Sequence, residues 1–441
     1  MKKKNLLVVL VNILFIGLFA KGLSIVSKII MTRSFGLEAI SIFSMINPML
    51  VLVLTLSNLS LPTVIATLIS KNRKKCTSII ISSFSLCIVL CLSLMIIVNI
   101  FTPFISSSLL HSEKVIPCLR AFILLIPLTS ISSIIKGYFL GIGEIKLTSV
   151  AQVFEESGRL LFILIAIYLF TNQNDEFKAS LCVYSLCLGE VFQMGAHIIF
   201  SSNKIYKKVR YILQEFTRKE NYHLQEIISF SLPLTTARLV GSLTYFFEPI
   251  ILMGILIKKG QDATSITCEY GLLSSFIMPL LLMPGFLSTT LSNYLLPKMG
   301  NLIGKKEYKE AKNLFIKILT ISLVIGISIS SLFFLFPSFI LKVVYSLEEG
   351  SASLKALAFP FVVFYIESII LAAMNALSLS KEAFISTFTS SLLRIISLFI
   401  FVDKIGTFGV ALATLVSVYT DVSMNLFFVL RSFRNNEKRI L

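Results

Sequence analysis

Long apolar runs separated by short polar loops make up nearly the whole chain. About 20 consecutive apolar residues cross the hydrocarbon core of a bilayer as one helix, and the pattern predicts twelve such helices. The first extends from the N-terminus to about residue 31, and we expect it to be retained because no signal-peptide cleavage site follows it. The other predicted spans are 39–69, 77–101, 115–140, 147–170, 178–202, 224–257, 268–296, 312–336, 353–378, 383–402 and 407–430.

Composition excludes a soluble protein. Hydrophobic residues occupy 56% of the 441 positions and charged residues only 14%, and mean hydropathy is +0.88. The net charge of +17 could indicate a nucleic-acid partner, but lysine and arginine concentrate in the loops on one side of the spans. That bias is the positive-inside pattern. We therefore expect the lipid bilayer as partner, no nucleic acid, and a multi-pass cell-membrane protein with both termini in the cytosol.

Metal and disulfide sites are not expected. The seven cysteines contain no CxxC pair and lie mostly inside apolar spans, and the three histidines are not spaced as ligands. The sequence also lacks GxSxG, HExxH and GxGxxG, and GNLIGKK (300–306) has the wrong spacing for a phosphate loop. The loops are too short for a catalytic domain. We expect no cofactor and no enzyme, but a transporter driven by an ion gradient, the membrane potential or its substrate's gradient.

The chain divides into two similar halves. The predicted organisation is a six-helix lobe over 1–203, a basic cytosolic linker over 204–223 and a second six-helix lobe over 224–441. NIFTPFI (99–105) in the first half corresponds to FFLFPSFI (333–340) in the second, and the fifth spans each carry an arginine, Arg159 and Arg394. Such internal repeats are typical of secondary transporters, whose sites lie between the repeats.

Charges inside the spans are the candidate functional groups. Arg238, Tyr245 and Glu248 share one face of the seventh span at helical spacing. A charge at the membrane centre costs roughly 2.5–3.5 kcal/mol on insertion scales, so such residues usually face a bundle interior or a cavity. Two interpretations stay open: an Arg–Glu pair that locks helices together, or a polar face that binds a substrate.

The first two spans carry a similar polar face. Lys21 and Lys28 lie on one side of the first helix, and Asn47 and Asn58 belong to a polar stripe on the second. Polar stripes serve either as contacts between helices or as the lining of a lumen, and both remain open. Four further charged residues have either a structural role or a role in ion coupling, and both remain open. They are Glu155 with Arg159, at the favourable four-residue spacing, Glu367 and Arg394.

Three segments resemble a known family. They are KGLSIVSKIIMTRSFGLEAISIFSMINP (21–48), KGYFLGIGEIKLTSVAQVFEESGRLLFIL (136–164) and ISFSLPLTTARLVGSL (228–243). They are similar to the oligosaccharide-flippase branch of the multidrug/oligosaccharidyl-lipid/polysaccharide exporter superfamily, above all to its sporulation and lipid II flippases. The resemblance implies an all-α membrane fold with two six-helix lobes around a V-shaped cavity and alternating access.

The resemblance also implies a substrate and its contacts. The expected substrate is a polyprenyl-pyrophosphate-linked sugar, handled by a monomer, and cations on the first helix of each lobe would meet its pyrophosphate. The matching residues are Lys21, Lys28, Arg33 and Arg238, with Glu248, Asn47, Asn58 and Tyr245 as further substrate-binding candidates. Lipid II and sporulation flippases typically add two C-terminal helices. This sequence ends after the twelfth predicted span, which keeps undecaprenyl-linked units other than lipid II open.

Two alternatives compete with this hypothesis. A cation-coupled multidrug exporter of the same superfamily would favour buried carboxylates in the first lobe, where the first helix instead carries lysines; Glu155 and Glu248 keep it open. A membrane glycosyltransferase or polymerase would need a large external loop with clustered acids and bases, and the sequence has none.

The loop charges predict the topology. Reporter fusions at Asn174 and Ser351 should be active outside the cytosol, and fusions at Glu215 and Asn301 inside it. A paired alkaline phosphatase and green fluorescent protein reporter measures both outcomes at each site. If Asn174 and Glu215 report the same side, the topology of the first lobe is wrong.

Overall fold

The computed structural model describes residues 3–71, 76–170, 172–201, 224–347 and 349–438, and every regular element in these ranges is helical. The chain forms two compact units, Met1–Ser242 and Leu243–Leu441. The division falls inside a helix, Leu224–Lys258. The predicted linker 204–223 lies outside the described residues, so the predicted lobe boundaries remain a prediction.

Among its described residues the first unit contains six helices, and a seventh passes out of it. They are α1 (Lys3–Asn58), α2 (Leu61–Lys71), α3 (Cys76–Phe104), α4 (Ile116–Ile142), α5 (Ile145–Leu169), α6 (Asp175–Ile199) and α7 (Leu224–Lys258). A π-helical turn, Ile105–Leu109, and a short 3₁₀ turn, Glu113–Val115, connect α3 to α4. Gly143 ends α4 in the left-handed conformation (φ 93°), where glycine has no Cβ to clash.

The second unit contains shorter helices joined by irregular turns. They are α8 (Ala263–Gly271), α9 (Met278–Leu282), α10 (Gly285–Gly304), α11 (Tyr308–Leu335), α12 (Pro337–Tyr345), α13 (Ser351–Ala358), α14 (Phe364–Ala376), α15 (Ser380–Ile405) and α16 (Phe408–Lys438). A π-helical segment, Leu272–Ile277, joins α8 to α9, and a 3₁₀ turn, Pro360–Val363, precedes α14.

Two predicted single spans are broken, whereas the boundary predicted between the first two spans is present. Helix α1 changes direction at Gly36 (φ 84°, ψ 171°), between the predicted spans that end at about residue 31 and begin at residue 39. The predicted span 39–69 is interrupted at Leu59 and Ser60, which have positive φ. The predicted span 268–296 is divided at Pro284, between α9 and α10. These predictions of continuous helices were wrong because apolar periodicity reports burial, whereas local backbone geometry decides where a helix stops.

The number of spans is only partly settled. Among the described residues, nine helices are long and apolar enough to cross a membrane, or ten if α13 and α14, bent by 52°, form one span. One of the nine stretches, Phe15–Ser70, has 56 residues. At 1.5 Å per residue it exceeds twice the roughly 30 Å of the hydrocarbon core. The count of twelve stays a prediction, while the multi-span helical membrane fold is confirmed.

Helices α5 and α6 approach each other closely at two glycines. A Cβ on Gly158 of α5 would lie 2.6 Å from Cγ of Phe192 on α6. A Cβ on Gly189 of α6 would lie 2.7 Å from Cγ of Arg159 on α5. Small residues allow such contacts between membrane helices. The absence of a side chain at Gly189 therefore lets Arg159 lie flat against α6.

Substitution of Gly158 tests this close packing. Gly158→Ala places a methyl group against the base of the Phe192 ring, and overpacking of this kind costs about 1–3 kcal/mol. Thermal unfolding of the purified protein should therefore shift to a lower temperature. Gly195→Ala, on the same pair of helices, has open space within 4 Å. It should be neutral or stabilising by up to about 1 kcal/mol, and equal loss in both variants would contradict the packing.

Candidate functional site

A polar network joins α4, α5 and α6 inside the first unit. The Arg159 guanidinium donates to Glu155 and, at 3.4 Å, to Oε1 of Glu156. Gln193 donates its amide to the other oxygen of Glu155. Ser132 of α4 donates to the Gln193 carbonyl oxygen. The Glu155–Arg159 pair expected from the sequence is therefore present, and neighbouring helices complete it.

Two more carboxylates enlarge the network. Glu156 interacts with Ser24 and with the charge of Lys21, both on α1. Glu190 of α6 interacts with Ser132, Glu155 and Arg159, and with Lys136 on α4. Arg159 is the cation at ion-pair distance from Glu155 and Glu156, and Lys21 and Lys136 add electrostatic attraction to Glu156 and Glu190.

His197 adjoins the network through Gln193. It is fully buried, its ring stacks on Phe139 with centroids 5.0 Å apart, and its Nδ1 lies 2.9 Å from the Gln193 backbone carbonyl oxygen. Its Nε2 has no hydrogen-bond partner among the described residues. The backbone contact indicates that Nδ1 carries the proton, because a carbonyl oxygen only accepts.

A second network lies in the second unit and centres on Glu248 of α7. Glu248 is 2% exposed. One of its oxygens accepts a hydrogen bond of 2.9 Å from the Tyr270 hydroxyl, and the other accepts one from the Arg394 guanidinium. Arg394 also donates to Thr414 at 3.2 Å. Both carboxylate oxygens therefore accept a hydrogen bond, and the donors come from α8 and α15 rather than from the helix of Glu248.

Tyr245 belongs to the same network, whereas Arg238 does not. The Arg394 guanidinium lies 5.9 Å from the centre of the Tyr245 ring, within the range of a cation–π contact. Arg238 lies ten residues before Glu248, about 15 Å along the helix, and is exposed. Within the described ranges it has neither a hydrogen bond nor an ion pair. An ion pair between Arg238 and Glu248, one of the two interpretations left open for this face, is therefore excluded.

The other predicted residues are distributed along α1. Lys21 and Arg33 are exposed and Lys28 is half-buried. Asn58 accepts a hydrogen bond of 3.2 Å from Ser133 on α4, so it acts as a contact between helices. Asn47 is half-buried and has a partner as well. The polar stripe of the second span thus contributes to packing, and its part in substrate binding stays a prediction.

The sequence analysis missed several members of both networks. These are Ser132, Lys136, Glu156, Glu190, Gln193, His197, Tyr270 and Thr414. Glu190 and Gln193 carried a usable signal, since they lie three residues apart inside an apolar span. The described residues contain no group of three or more His, Cys, Asp or Glu side chains able to hold a metal ion.

Comparison with protein families and curated proteins identifies relatives. The profile of a family described as "Polysaccharide biosynthesis protein" matches residues 9–303. Stage V sporulation protein B of Bacillus subtilis (strain 168) is 25% identical over 405 residues, covering 90% of this chain and 78% of that protein. Sporulation protein YkvU of the same organism is 21% identical over 377 residues, covering 83% and 81%.

Solved structures share the fold. Lipid II flippase MurJ in an inward closed conformation superposes with a TM-score of 0.71 at 16% identity, covering 97% of this chain and 90% of that one. An inward-facing multidrug resistance MATE transporter of the MOP superfamily gives 0.66 at 14% identity, covering 95% and 96%. The chain therefore shares the fold of these two proteins.

Loss of the Glu248–Arg394 pair should strongly lower the free energy of unfolding. Glu248→Gln leaves the Arg394 guanidinium without a carboxylate, and breaking a buried pair on one side costs roughly 3–5 kcal/mol. Thermal unfolding in detergent should show a strong loss, and the double variant Glu248→Gln/Arg394→Gln should recover part of it.

An exposed ion pair supplies the control. Lys259 and Asp403 are 2.9 Å apart with side chains 44% and 58% exposed, and Asp403→Asn should cost no more than about 1 kcal/mol. If Glu248→Gln is as mild as Asp403→Asn, the buried pair does not stabilise this unit.

Proposed function

We propose, on the premise that the chain belongs to the polysaccharide biosynthesis protein family, that it moves a polyprenyl-pyrophosphate-linked oligosaccharide across the cell membrane by alternating access. The observation that carries this proposal is a pair of exposed cations, Lys21 on α1 and Arg238 on α7. Each lies on the first helix of one predicted half. Most other intramembrane charges described above have a partner of opposite sign, whereas Arg238 has none within the described ranges.

The chemistry of the substrate explains why such cations are retained. A lipid-linked oligosaccharide carries an anionic pyrophosphate that must cross about 30 Å of hydrocarbon. Charge-assisted hydrogen bonds from lysine and arginine are the strong ones, and arginine can bind phosphate with two parallel bonds. Lys28, seven residues after Lys21, lies on the same face of α1, and Arg33 is a further cation along that helix. A cationic path would hold the pyrophosphate while the polyprenyl tail stays in the lipid.

The relatives support this class of substrate. One is named for a stage of sporulation and another is a lipid II flippase. We infer that this chain carries an undecaprenyl-linked unit, with a peptidoglycan precursor among the candidates. It would act as a monomer with both termini in the cytosol, coupled to an ion gradient or to the membrane potential.

A cation-coupled drug exporter is the second candidate. The observation in its favour is the group of three carboxylates in the first unit, Glu155, Glu156 and Glu190. Two of them, Glu155 and Glu156, form an ion pair with Arg159. A carboxylate that is already neutralised has less attraction for a cationic drug. The flippase hypothesis is therefore preferred, and an efflux assay with cationic dyes separates the two.

Reconstitution tests the flippase hypothesis directly. In proteoliposomes the protein should move a fluorescent polyprenyl-pyrophosphoryl oligosaccharide between leaflets, measured by a membrane-impermeant quencher, and should leave the glycan chemically unchanged. Lys21→Ala and Arg238→Ala should each slow this movement by about 10- to 100-fold, the equivalent of one lost hydrogen bond to a charged group. Membrane abundance should stay near normal.

Matched cations elsewhere on the chain are the controls. Arg120 on α4 and Lys317 on α11 are exposed as well, and their alanine variants should transport normally. Full transport by both Lys21→Ala and Arg238→Ala would refute the cationic path. A shortened or extended glycan would instead indicate an enzyme.

A further inference from the structure

A cavity of about 500 Å³ lies in the second unit, and no residue of either polar network lines it. Its wall is formed by the end of α7, by α8 and the π-helical segment after it, by α13, and by the turn between α15 and α16. Buried apolar side chains, Leu256, Leu273 and Ile277, form the inner part, and exposed polar side chains lie at the opening. Binding sites for small molecules have this composition, with volumes of about 300–1,000 Å³.

The turn between α15 and α16 gives one side of the cavity a defined shape. Gly406 has φ 65° and ψ −144°, close to a backbone region that essentially only glycine adopts. A Cβ on Gly409 would lie 2.5 Å from the carbonyl carbon of Phe401, so the two helices meet backbone to side-chain-free backbone. The turn places Asp403 and Lys404 in the cavity wall. Groups that are fixed before a ligand arrives lose less entropy when it binds.

Some polar groups at the opening bind each other. The Lys259 ammonium lies 2.9 Å from Oδ1 of Asp403 and also donates to the Asp403 backbone carbonyl oxygen. The Thr407 hydroxyl donates to Oε2 of Glu269 at 2.7 Å. These contacts tie the end of α7 and the middle of α8 to the turn between α15 and α16. They also fix the position of the Glu269 carboxylate at the opening.

Three polar groups at the opening remain available to a ligand. They are the second oxygen of Glu269, the Lys404 ammonium and the Gln261 side-chain amide, none of which has a hydrogen-bond partner within the described ranges. Glu269 would repel an anion and Lys404 would repel a cation. A hydroxyl group both donates and accepts, so a ligand with several hydroxyls can bind carboxylate, ammonium and amide together. Hydrogen bonds to the two charged groups are the strong ones.

The ligand class follows from these groups and from the apolar wall. A sugar ring carries hydroxyls at its edge and C–H groups on its faces, and the Phe408 side chain in the cavity wall offers apolar surface to such a face. The volume suits a ligand of roughly two or three sugar rings, well above the size of a single ion. We propose that this cavity binds a short neutral oligosaccharide through Glu269, Lys404 and Gln261.

The predicted topology gives this site a place in transport. Ser353 of α13 lines the cavity and lies two residues after Ser351, where a reporter is predicted to be active outside the cytosol. The cavity would therefore receive the glycan on the outer side of the membrane once the pyrophosphate has crossed. This role rests on the proposed function, whereas binding of a free oligosaccharide is a property of the purified protein.

Saturation-transfer difference NMR on the purified full-length protein tests the site, in a detergent without a sugar headgroup. The probes are maltotriose and triacetylchitotriose, two neutral trisaccharides, and at least one should give a saturable signal. Glu269→Ala and Lys404→Ala should each weaken the affinity by about 10- to 100-fold, as for one lost hydrogen bond to a charged group. Ser353→Trp should abolish binding because the indole fills the cavity. Glu349→Ala and Lys355→Ala, exposed residues outside the cavity wall, should bind as the unmodified protein does.

Folding and transport are measured separately from binding. Each variant is first shown to be folded by a single peak in size-exclusion chromatography and a cooperative thermal transition. Absence of saturable binding of both trisaccharides, or unchanged affinity in all three site variants, would overturn the proposal. Displacement of the trisaccharide by alanylalanine at lower concentrations than by unlabelled trisaccharide would overturn it as well, because the site would then bind a zwitterion. Trisaccharide binding without lipid translocation would refute the flippase hypothesis alone, and translocation without trisaccharide binding would refute the oligosaccharide site alone.

Discussion

A charged side chain inside an apolar helix has to find its counter-charge within the protein, because hydrocarbon offers neither hydrogen bonds nor counter-ions. The Glu248–Arg394 contact meets this requirement in the second unit, where it joins α7 to α15 and, through Tyr270 and Thr414, to α8 and α16. Four helices are thereby held at one point by groups that cannot separate without leaving a buried charge. The Glu155–Arg159 network has the same effect on α4, α5 and α6.

Charges without a partner stand out among the paired charges of the membrane helices and indicate a role other than packing. When most intramembrane charges are neutralised by a neighbour, an exposed cation such as Arg238 is not explained by packing. Its retention in an apolar helix costs free energy, and an anionic ligand that arrives from outside the helix would recover that cost.

Sequence patterns predicted the class of fold and the local contacts, but not the contacts between distant helices. Apolar runs identified the membrane helices, and the four-residue spacing of Glu155 and Arg159 predicted their ion pair. The partner of Glu248 could not be found in this way, since Arg394 lies 146 residues away and no periodicity connects the two. Arg238, which shares a helical face with Glu248, lies about 15 Å from it along the helix. The break at Ser60 was missed for a related reason, because backbone dihedrals leave little trace in an apolar run.

A fixed positive charge and a mobile one have different consequences for a transporter. Arg394 cannot lose its proton or leave the site, so Glu248 keeps the same counter-charge in every conformation that preserves their contact. A network of that kind can stabilise a unit, but it cannot sense an ion gradient. Gradient coupling requires a group whose neutralisation depends on the concentration of an ion.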